Sequence, residues 1–294
     1  MTSTDVIIVG AGISGLLLAT HLKSKNILLE KSRGIGGRIA TRRVNDLGFD
    51  HGAPFLIDDP LLRETLVEFN LENEMRLDPQ GIYFENSMTR FPKKLIDSLD
   101  IHKSTRAEII SKSSRGWTIT CDNGESFEAK KIVVTAPLPQ ALELLDKNDL
   151  PYSPELKSIA YLKAVMALIV TSDGALPDLV PGSFIHSILP MNSRNLHPKG
   201  FVARASSQDS ERLFDLDDET ILKEIETHFK NAFSHEPHIE YSELKKWRYV
   251  TPTTALPYPY LEVQENLFLI GDAFQHSDAR GSILGALLLA EKLN

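Results

Sequence analysis

A single cysteine, Cys121, occurs in 294 residues. That scarcity excludes an internal disulfide and any site built from several thiolates, and it fits a reducing, cytoplasmic setting. An excess of positive charge is also missing: 32 Lys and Arg against 40 Asp and Glu leave a net charge of −8. Broad attraction to phosphate backbones is therefore disfavoured, and nucleic acid is not an expected partner. No uninterrupted apolar run reaches the ~18 to 20 residues that span a bilayer, so no membrane partner is expected. The apolar stretch from Val6 to Ala19 follows Asp5, has no Lys or Arg ahead of it and is interrupted by Gly10, Gly12 and Gly15, so it does not read as a secretory leader. Internal repeats, low-complexity tracts and metal-ligand spacing are absent as well. What is present is a chain 42% apolar and 24% charged, long enough for about two domains with substantial cores.

The order of patterns along the chain points to an α/β fold. Asp5 to Val9 is a short β-branched run, GAGISG turns the chain, and LLLATHLKSK has the spacing of a helix packed on a sheet. A second strand, Asn26 to Glu30, follows at once, which makes a βαβ unit with the helix as crossover. Residues 60–99 change character: a charged helical segment, a strand at Gly81 to Glu85 and a helix near PKKLIDSL. Ala107 to Lys112, Trp117 to Cys121 and Lys131 to Ala136 read as a meander returning to a buried strand, with a turn at Asp122-Asn123-Gly124. From Leu150 to about Tyr249 the strands KAVMALIVT, SFIHSIL and GFVARAS alternate with turns, and LDDETILKEIETHFKNAF is helical. A last strand, Asn266 to Ile270, and an apolar helix, Ser282 to Leu293, close the chain. The last strand is expected to rejoin the first sheet.

Chemistry concentrates at three places. Gly10, Gly12 and Gly15 follow a strand and open a helix, the setting in which GxGxxG binds a dinucleotide diphosphate on free helix N–H groups. Glu30, at the end of the next strand, is placed to accept hydrogen bonds from ribose hydroxyls. Glu30 then leads into KSRGIGGRIATRR, where Gly36 and Gly37 permit close backbone approach and Arg38 offers a planar donor fork. Arg33 reads as solvated surface, as do Lys93 and Lys94.

The stretch from Glu30 through GGR resembles the flavin amine oxidase superfamily, as do Asp50-His51-Gly52-Ala53-Pro54-Phe55 and the closing NLFLIGDAF followed by GSILGALLLAEKL. The resemblance implies FAD. It implies a Rossmann-type, glutathione-reductase-like FAD-binding domain made of residues 1–59, 100–149 and 250–294, with an inserted smaller mixed-sheet substrate domain made of 60–99 and 150–249. Mapped onto this chain, the cofactor contacts are Gly10, Gly12, Ile13, Ser14, Gly15, Glu30, Lys31, Gly37, Arg38 and Arg43 (with Arg42 its alternative). They continue with Gly52, Ala53, Pro54, Phe55, Ala107, Gly271, Asp272, Ser282 and Ile283. Gly271 and Asp272 would hold the ribityl chain and phosphate, and Ile283 would donate its N–H near the ring, where a positive helix end favours negative charge.

The length, the segment KKWRYVTPTTALP and GDAF resemble renalase-like proteins. That resemblance implies hydride transfer from 2- or 6-dihydro isomers of NAD(P) to FAD, then electron transfer to dioxygen with release of hydrogen peroxide. Trp247 and Tyr249, two apart, would share one strand face over the flavin, although ordinary core packing accounts nearly as well for Trp247. His51 and His186 are further pocket candidates, and no metal is expected. Amine oxidases usually carry a lysine near the flavin on a substrate-domain strand; here Met166 falls at that position, and a shift of register would substitute Lys163. A dihydropyridine surrenders hydride without a protein base, so a pocket lacking that lysine still makes chemical sense. Two other readings stand beside this one: a flavin oxidase acting on a small amine, and a non-catalytic flavin-binding redox sensor.

Overall fold

The computed structural model describes residues 2–45, 47–179 and 182–294. In chain order its regular elements begin with β1 (Thr2–Val9), α1 (Ile13–His21), β2 (Asn26–Glu30), β3 (Thr41–Val44) and β4 (Leu47–Asp50). They continue with α2 (Pro60–Glu68), β5 (Met75–Asp78), β6 (Gly81–Phe84), α3 (Arg90–Lys94), β7 (Ile101–Lys103), β8 (Ala107–Ser113), β9 (Gly116–Cys121), β10 (Ser126–Val134) and α4 (Leu138–Lys147). The remainder are β11 (Ala164–Thr171), β12 (Ile185–Pro190), β13 (Gly200–Ala205), α5 (Ser207–Leu213), α6 (Asp218–Lys230), β14 (Ile239–Trp247), β15 (Tyr260–Gln264), β16 (Leu267–Ile270) and α7 (Ala279–Leu293).

The larger sheet has the order β15-β16-β10-β1-β2-β7, with β8 and β9 continuing from β10. Strands β16, β10, β1, β2 and β7 run parallel to one another, whereas β15 and β9 pair antiparallel with β16 and β10. Val6, Ile7 and Ile8 are fully buried, as expected where a parallel sheet is covered on both faces. Val6 and Ile8 join the core under α1 and α7, and Ile7 joins the core under α4 and the meander. The C-terminal ends of β1, β2, β10 and β16 come together, and β2 and β10 leave β1 on opposite sides. That is the switch point at which open α/β sheets bind ligands.

The second sheet, β12-β13-β11-β14, is antiparallel. One face carries Val165, Ala167, Ile169 and Phe201 against Ile221, Ile225 and Phe229 of α6. The opposite face carries Ala164, Met166, Leu168 and Val202 against Phe49 of β4, which ties this sheet to the short β3-β4 hairpin.

Several boundaries differ from those read in the sequence. The charged helix stops at Glu68, and Met75–Asp78 forms a hairpin with Gly81–Phe84. The helix read at PKKLIDSL is the short α3, starting at Arg90. The closing helix starts at Ala279, three residues early, because the Asp278 side chain accepts the Arg280 N–H and caps it. Among the described residues no helix is long and apolar enough to cross a membrane, and none of their His, Cys, Asp and Glu side chains form a group of three or more suited to a metal ion.

Candidate functional site

Helix α1 begins at Gly12 with no side-chain cap and no acidic residue in its first turn. Helices α2, α5, α6 and α7 are each capped by an Asp or Ser side chain. The N–H groups of Ile13, Ser14 and Gly15 therefore remain open to an anion. A Cβ built on Gly12 would meet no atom within 4 Å, whereas one on Gly15 would lie 2.1 Å from the Gly10 carbonyl oxygen. Gly12 lines open space, and Gly15 is needed for helix and strand to touch. The buried Ser14 hydroxyl has no partner among the described residues.

Glu30 ends β2 almost fully buried. Its carboxylate accepts the Ala11 N–H at 2.8 Å and the Ser32 N–H at 2.8 Å. This fixes the acid beside the glycine turn, with further lone pairs on its oxygens for other donors. The GGR stretch folds back onto that turn: Gly36 N–H donates to the Ala11 carbonyl at 2.8 Å, and Gly12 and Gly36 form a parallel bridge.

The Asp50–Phe55 segment lies directly on the GGR backbone. Ala53 N–H donates to the Arg38 carbonyl at 2.8 Å, and a Cβ on Gly52 would stand 2.0 Å from that same oxygen. Only glycine permits the approach. Asp50 itself is buried in an ion pair, 3.2 Å from Arg194, and accepts the Thr41 hydroxyl at 2.5 Å. Arg194 also donates to the Pro54 carbonyl at 2.6 Å, and its guanidinium stands 4.7 Å from the ring centres of both Phe55 and Tyr83. Burial pushes the Asp50 carboxyl upward and the Arg194 guanidinium downward; their pairing opposes both shifts.

At the far end of the chain, Asp272 follows Gly271 just beyond β16. Its Oδ2 lies 2.5 Å from Arg38 Nη1, and its Oδ1 accepts the Tyr161 hydroxyl at 3.0 Å. Arg38 also donates to the carbonyls of Val250 at 3.2 Å and Tyr249 at 3.4 Å. Burial works against the Arg38 charge, but Asp272 more than offsets it and holds the guanidinium above its ordinary value. Burial and the same carboxylate push the Tyr161 hydroxyl far upward, so it remains a donor. The amino-terminal and carboxy-terminal turns are thus joined side chain to side chain.

Beside this junction lies the inner face of the second sheet. Trp247 donates its indole N–H to the His51 carbonyl at 2.9 Å and stacks on the His51 ring, centroids 5.5 Å apart. Burial, aided by the Lys245 charge, lowers the His51 imidazole to about 4, so it is neutral at pH 7. Cross-strand partners form a row on this face, Ser187 to Arg204 to Met166 to Lys245, with Met166 almost fully buried. Lys245 bonds Glu243 at 2.5 Å, and Glu243 also accepts the Tyr241 hydroxyl at 2.8 Å. Burial would raise the Glu243 carboxyl, but Lys245, Tyr241 and Arg42 hold it down, to about 2.

Not every residue singled out from the sequence converges here. Strand β14 ends at Trp247, so Tyr249 does not share its strand face; it packs edge-on against Tyr161 instead. His186 is exposed on the edge strand β12, away from the pocket expected for it. Arg42 and Arg43 lie exposed on β3, Arg42 paired with Glu243. Lys31 is exposed and donates to Gln140. Ala107 packs in the core that holds Leu29. The earlier start of α7 puts Gly281 and Ser282 in its first turn and buries the Ile283 side chain in the core. Lys163 precedes β11 and pairs with Glu211, so no register shift brings it onto the inner face. Burial raises the Cys121 thiol to about 11, on the meander. Sequence reading missed Tyr161, Arg194, Arg204 and Lys245. The alternation along β13 and β14 was the available signal for the last two; Tyr161 sits in an isolated bridge and Arg194 ends a short 3-10 turn, with no such signal.

The comparisons with known proteins agree with this arrangement. The family described as flavin containing amine oxidoreductase matches residues 80–293, and a NAD(P)-binding Rossmann-like domain matches residues 8–69. The chain belongs to the flavin-containing amine oxidoreductase family. Chloroplastic protoporphyrinogen oxidase 1 of Arabidopsis thaliana is 32% identical over 107 residues, 32% of this chain and 20% of that protein, so the chain matches about a fifth of that relative's length. Two solved structures share the fold. One, from Exiguobacterium sp. 255-15, is provisionally assigned as a protoporphyrinogen oxidase, with TM-score 0.75 and 14% identity over 100% of this chain and 99% of that one. The other is an A394C variant of putrescine oxidase, with TM-score 0.73 and 12% identity over 99% of each chain.

The chain therefore combines a Rossmann-like dinucleotide-binding domain with the domain of a flavin-containing oxidoreductase family. Its residues fit the cofactor: the uncapped α1 N-terminus, the open face of Gly12 and the unpartnered Ser14 hydroxyl suit an anionic diphosphate.

Proposed function

We propose that the protein is a renalase-type oxidoreductase that takes hydride from 2- or 6-dihydro isomers of NAD(P) and passes the electrons to dioxygen. In this reading residues 1–59, 100–149 and 250–294 form the FAD-binding unit, and 60–99 with 150–249 frame the substrate pocket. The diphosphate is held by the Gly12–Gly15 turn and Arg38, the ribose by Glu30, and the ribityl side by Gly271 and Asp272. Bound FAD supplies a two-electron acceptor for the hydride and a donor to dioxygen, giving hydrogen peroxide.

The observation that carries the reading is Met166. It stands on the inner face between Arg204 and Lys245, at the position where an amine oxidase lysine is expected, and Lys163 is engaged at the surface. Neither neutral His51 nor Glu243, locked by three donors, is poised to exchange protons near neutral pH. A dihydropyridine needs no such exchange, since loss of hydride restores its aromaticity. Met166 and Leu168 form an apolar patch between the charged side chains of that face, while the Trp247–His51 stack holds the Asp50–Phe55 segment in place.

The Arabidopsis relative favours a second reading, oxidation of a porphyrinogen. One experiment separates the two. Holoprotein is mixed anaerobically with 6-dihydro-NAD, with protoporphyrinogen or with putrescine, and the flavin absorbance is followed. Rapid bleaching by the dihydronicotinamide alone is expected. Bleaching only by protoporphyrinogen, or only by the amine, overturns the proposal, and bleaching by none leaves a redox sensor.

A further inference from the structure

Three arginines are drawn into the interior around the site, and two of them already have a carboxylate partner. Arg194 is held by Asp50, the Pro54 carbonyl and two aromatic rings, and Arg38 by Asp272 and two carbonyls. Arg204 is different. It is half-buried on β13 and has no hydrogen bond or ion pair to any described residue. Burial lowers its guanidinium from the ordinary value, with no carboxylate opposing the shift. A guanidinium removed from water without an acceptor is costly, so such residues are usually paired.

The register fixes where Arg204 points. It lies opposite Met166 on one side and Ser187 on the other, so it shares the face that carries Leu168 and Val202 and looks toward Phe49. Lys245 stands next in the same row beyond Met166, close enough to lower the His51 imidazole. Its charge is largely spent on Glu243, which leaves Arg204 as the donor free for something else. The net charge of the whole chain is −8, so the overall field repels anions. An anionic substrate would need a local cation at the pocket.

We propose that Arg204, assisted by Ser187, is an anion-recognising subsite of the substrate pocket that takes the phosphate or carboxylate of an anionic substrate and disfavours cationic amines. The proposal rests on the reading of this sheet face as the pocket wall, and it names the substrate class of that pocket. A planar guanidinium with free N–H groups binds either oxyanion in two-pronged fashion. A primary ammonium placed against it would be repelled.

The test is equilibrium binding to oxidised holoprotein by calorimetry, so that no turnover is needed. NAD+ is the phosphate probe, protoporphyrin IX the carboxylate probe and putrescine the cationic probe. We expect one of the two anions to bind and putrescine not to. Arg204→Met should weaken that anion by about 10- to 100-fold, the loss typical of a charged hydrogen bond. Arg204→Lys should recover part of it, and both variants should keep full FAD content and an unchanged or higher Tm. Should Arg204→Met fail to fold, Arg204→Lys against Arg204→Gln gives the same contrast. The proposal is overturned if neither anion binds the wild type, if the Met or Gln variant binds within twofold of it, or if putrescine binds more tightly than either anion. Dependence of protoporphyrin binding on Arg204, without flavin bleaching by 6-dihydro-NAD, would keep the subsite while removing the dihydronicotinamide reading.

Discussion

Arg38 and Asp272 form an ion pair 2.5 Å long that joins two turns 234 residues apart in sequence. Asp272 is almost fully buried and Arg38 keeps about a quarter of its side chain exposed. The carboxylate therefore holds one edge of the guanidinium and leaves the rest of the fork available.

Asp272→Asn should separate these roles. Loss of the paired charge in a partly buried site is expected to cost about 2–3 kcal/mol, less than the ~3–5 kcal/mol of a fully buried pair because Arg38 is partly solvated. The Tyr161 hydroxyl keeps an acceptor in the Asn side-chain oxygen. Purified variant should carry substoichiometric FAD, read by the ratio of flavin to protein absorbance. Full occupancy with wild-type stability would mean that the pair does not organise the site.

Two glycines in the first turn should fail differently. Gly12→Val adds its side chain to open space, so the chain should fold with near-native circular dichroism and lose FAD. Gly15→Ala places a Cβ 2.1 Å from the Gly10 carbonyl and must push α1 off the sheet, a clash of several kcal/mol that lowers yield and Tm. Denaturant unfolding of both apoproteins checks the contrast.

The first βαβ unit was legible because strand, glycine turn, helix and acid are contiguous and each reports its own geometry. Glu30 and the Gly10–Gly15 turn meet through the Ala11 N–H, as that order requires. The second sheet was legible as strands but not as a face. Which side of β11 looks inward depends on the β4 hairpin residue Phe49 packing against Met166 and Leu168, a contact between distant segments. The break in β14 after Trp247 turns Tyr249 toward Tyr161, and no local pattern announces it. Arg194 ends the short 3-10 turn Asn192–Arg194, and only the tertiary fold brings it to Asp50.

That buried pair makes its own prediction. Asp50→Ala leaves Arg194 charged and unpaired, which should cost about 3–5 kcal/mol, while Asp50→Ala with Arg194→Met should cost markedly less. Equilibrium unfolding of the two single variants and the double variant gives the coupling. Strict additivity would mean that the pair contributes nothing beyond its parts.

His51 links stability to pH. Its imidazole sits at about 4 in the folded protein against an ordinary 6.5, so as pH falls the unfolded chain takes up the proton first. The stability that depends on neutral His51 is complete above pH 6.5 and is lost as pH falls through 4, by up to about 3 kcal/mol. Burial lowers His197 as well, so the wild-type slope alone does not isolate one residue, and the comparison must be with a variant. His51→Gln removes the titration while keeping a polar side chain beside Trp247. Between pH 7 and pH 4.5 the wild type should lose stability relative to His51→Gln, measured by urea unfolding at several pH values. A difference that stays constant across that range would show that His51 titrates normally and that the Trp247 stack does not shield it.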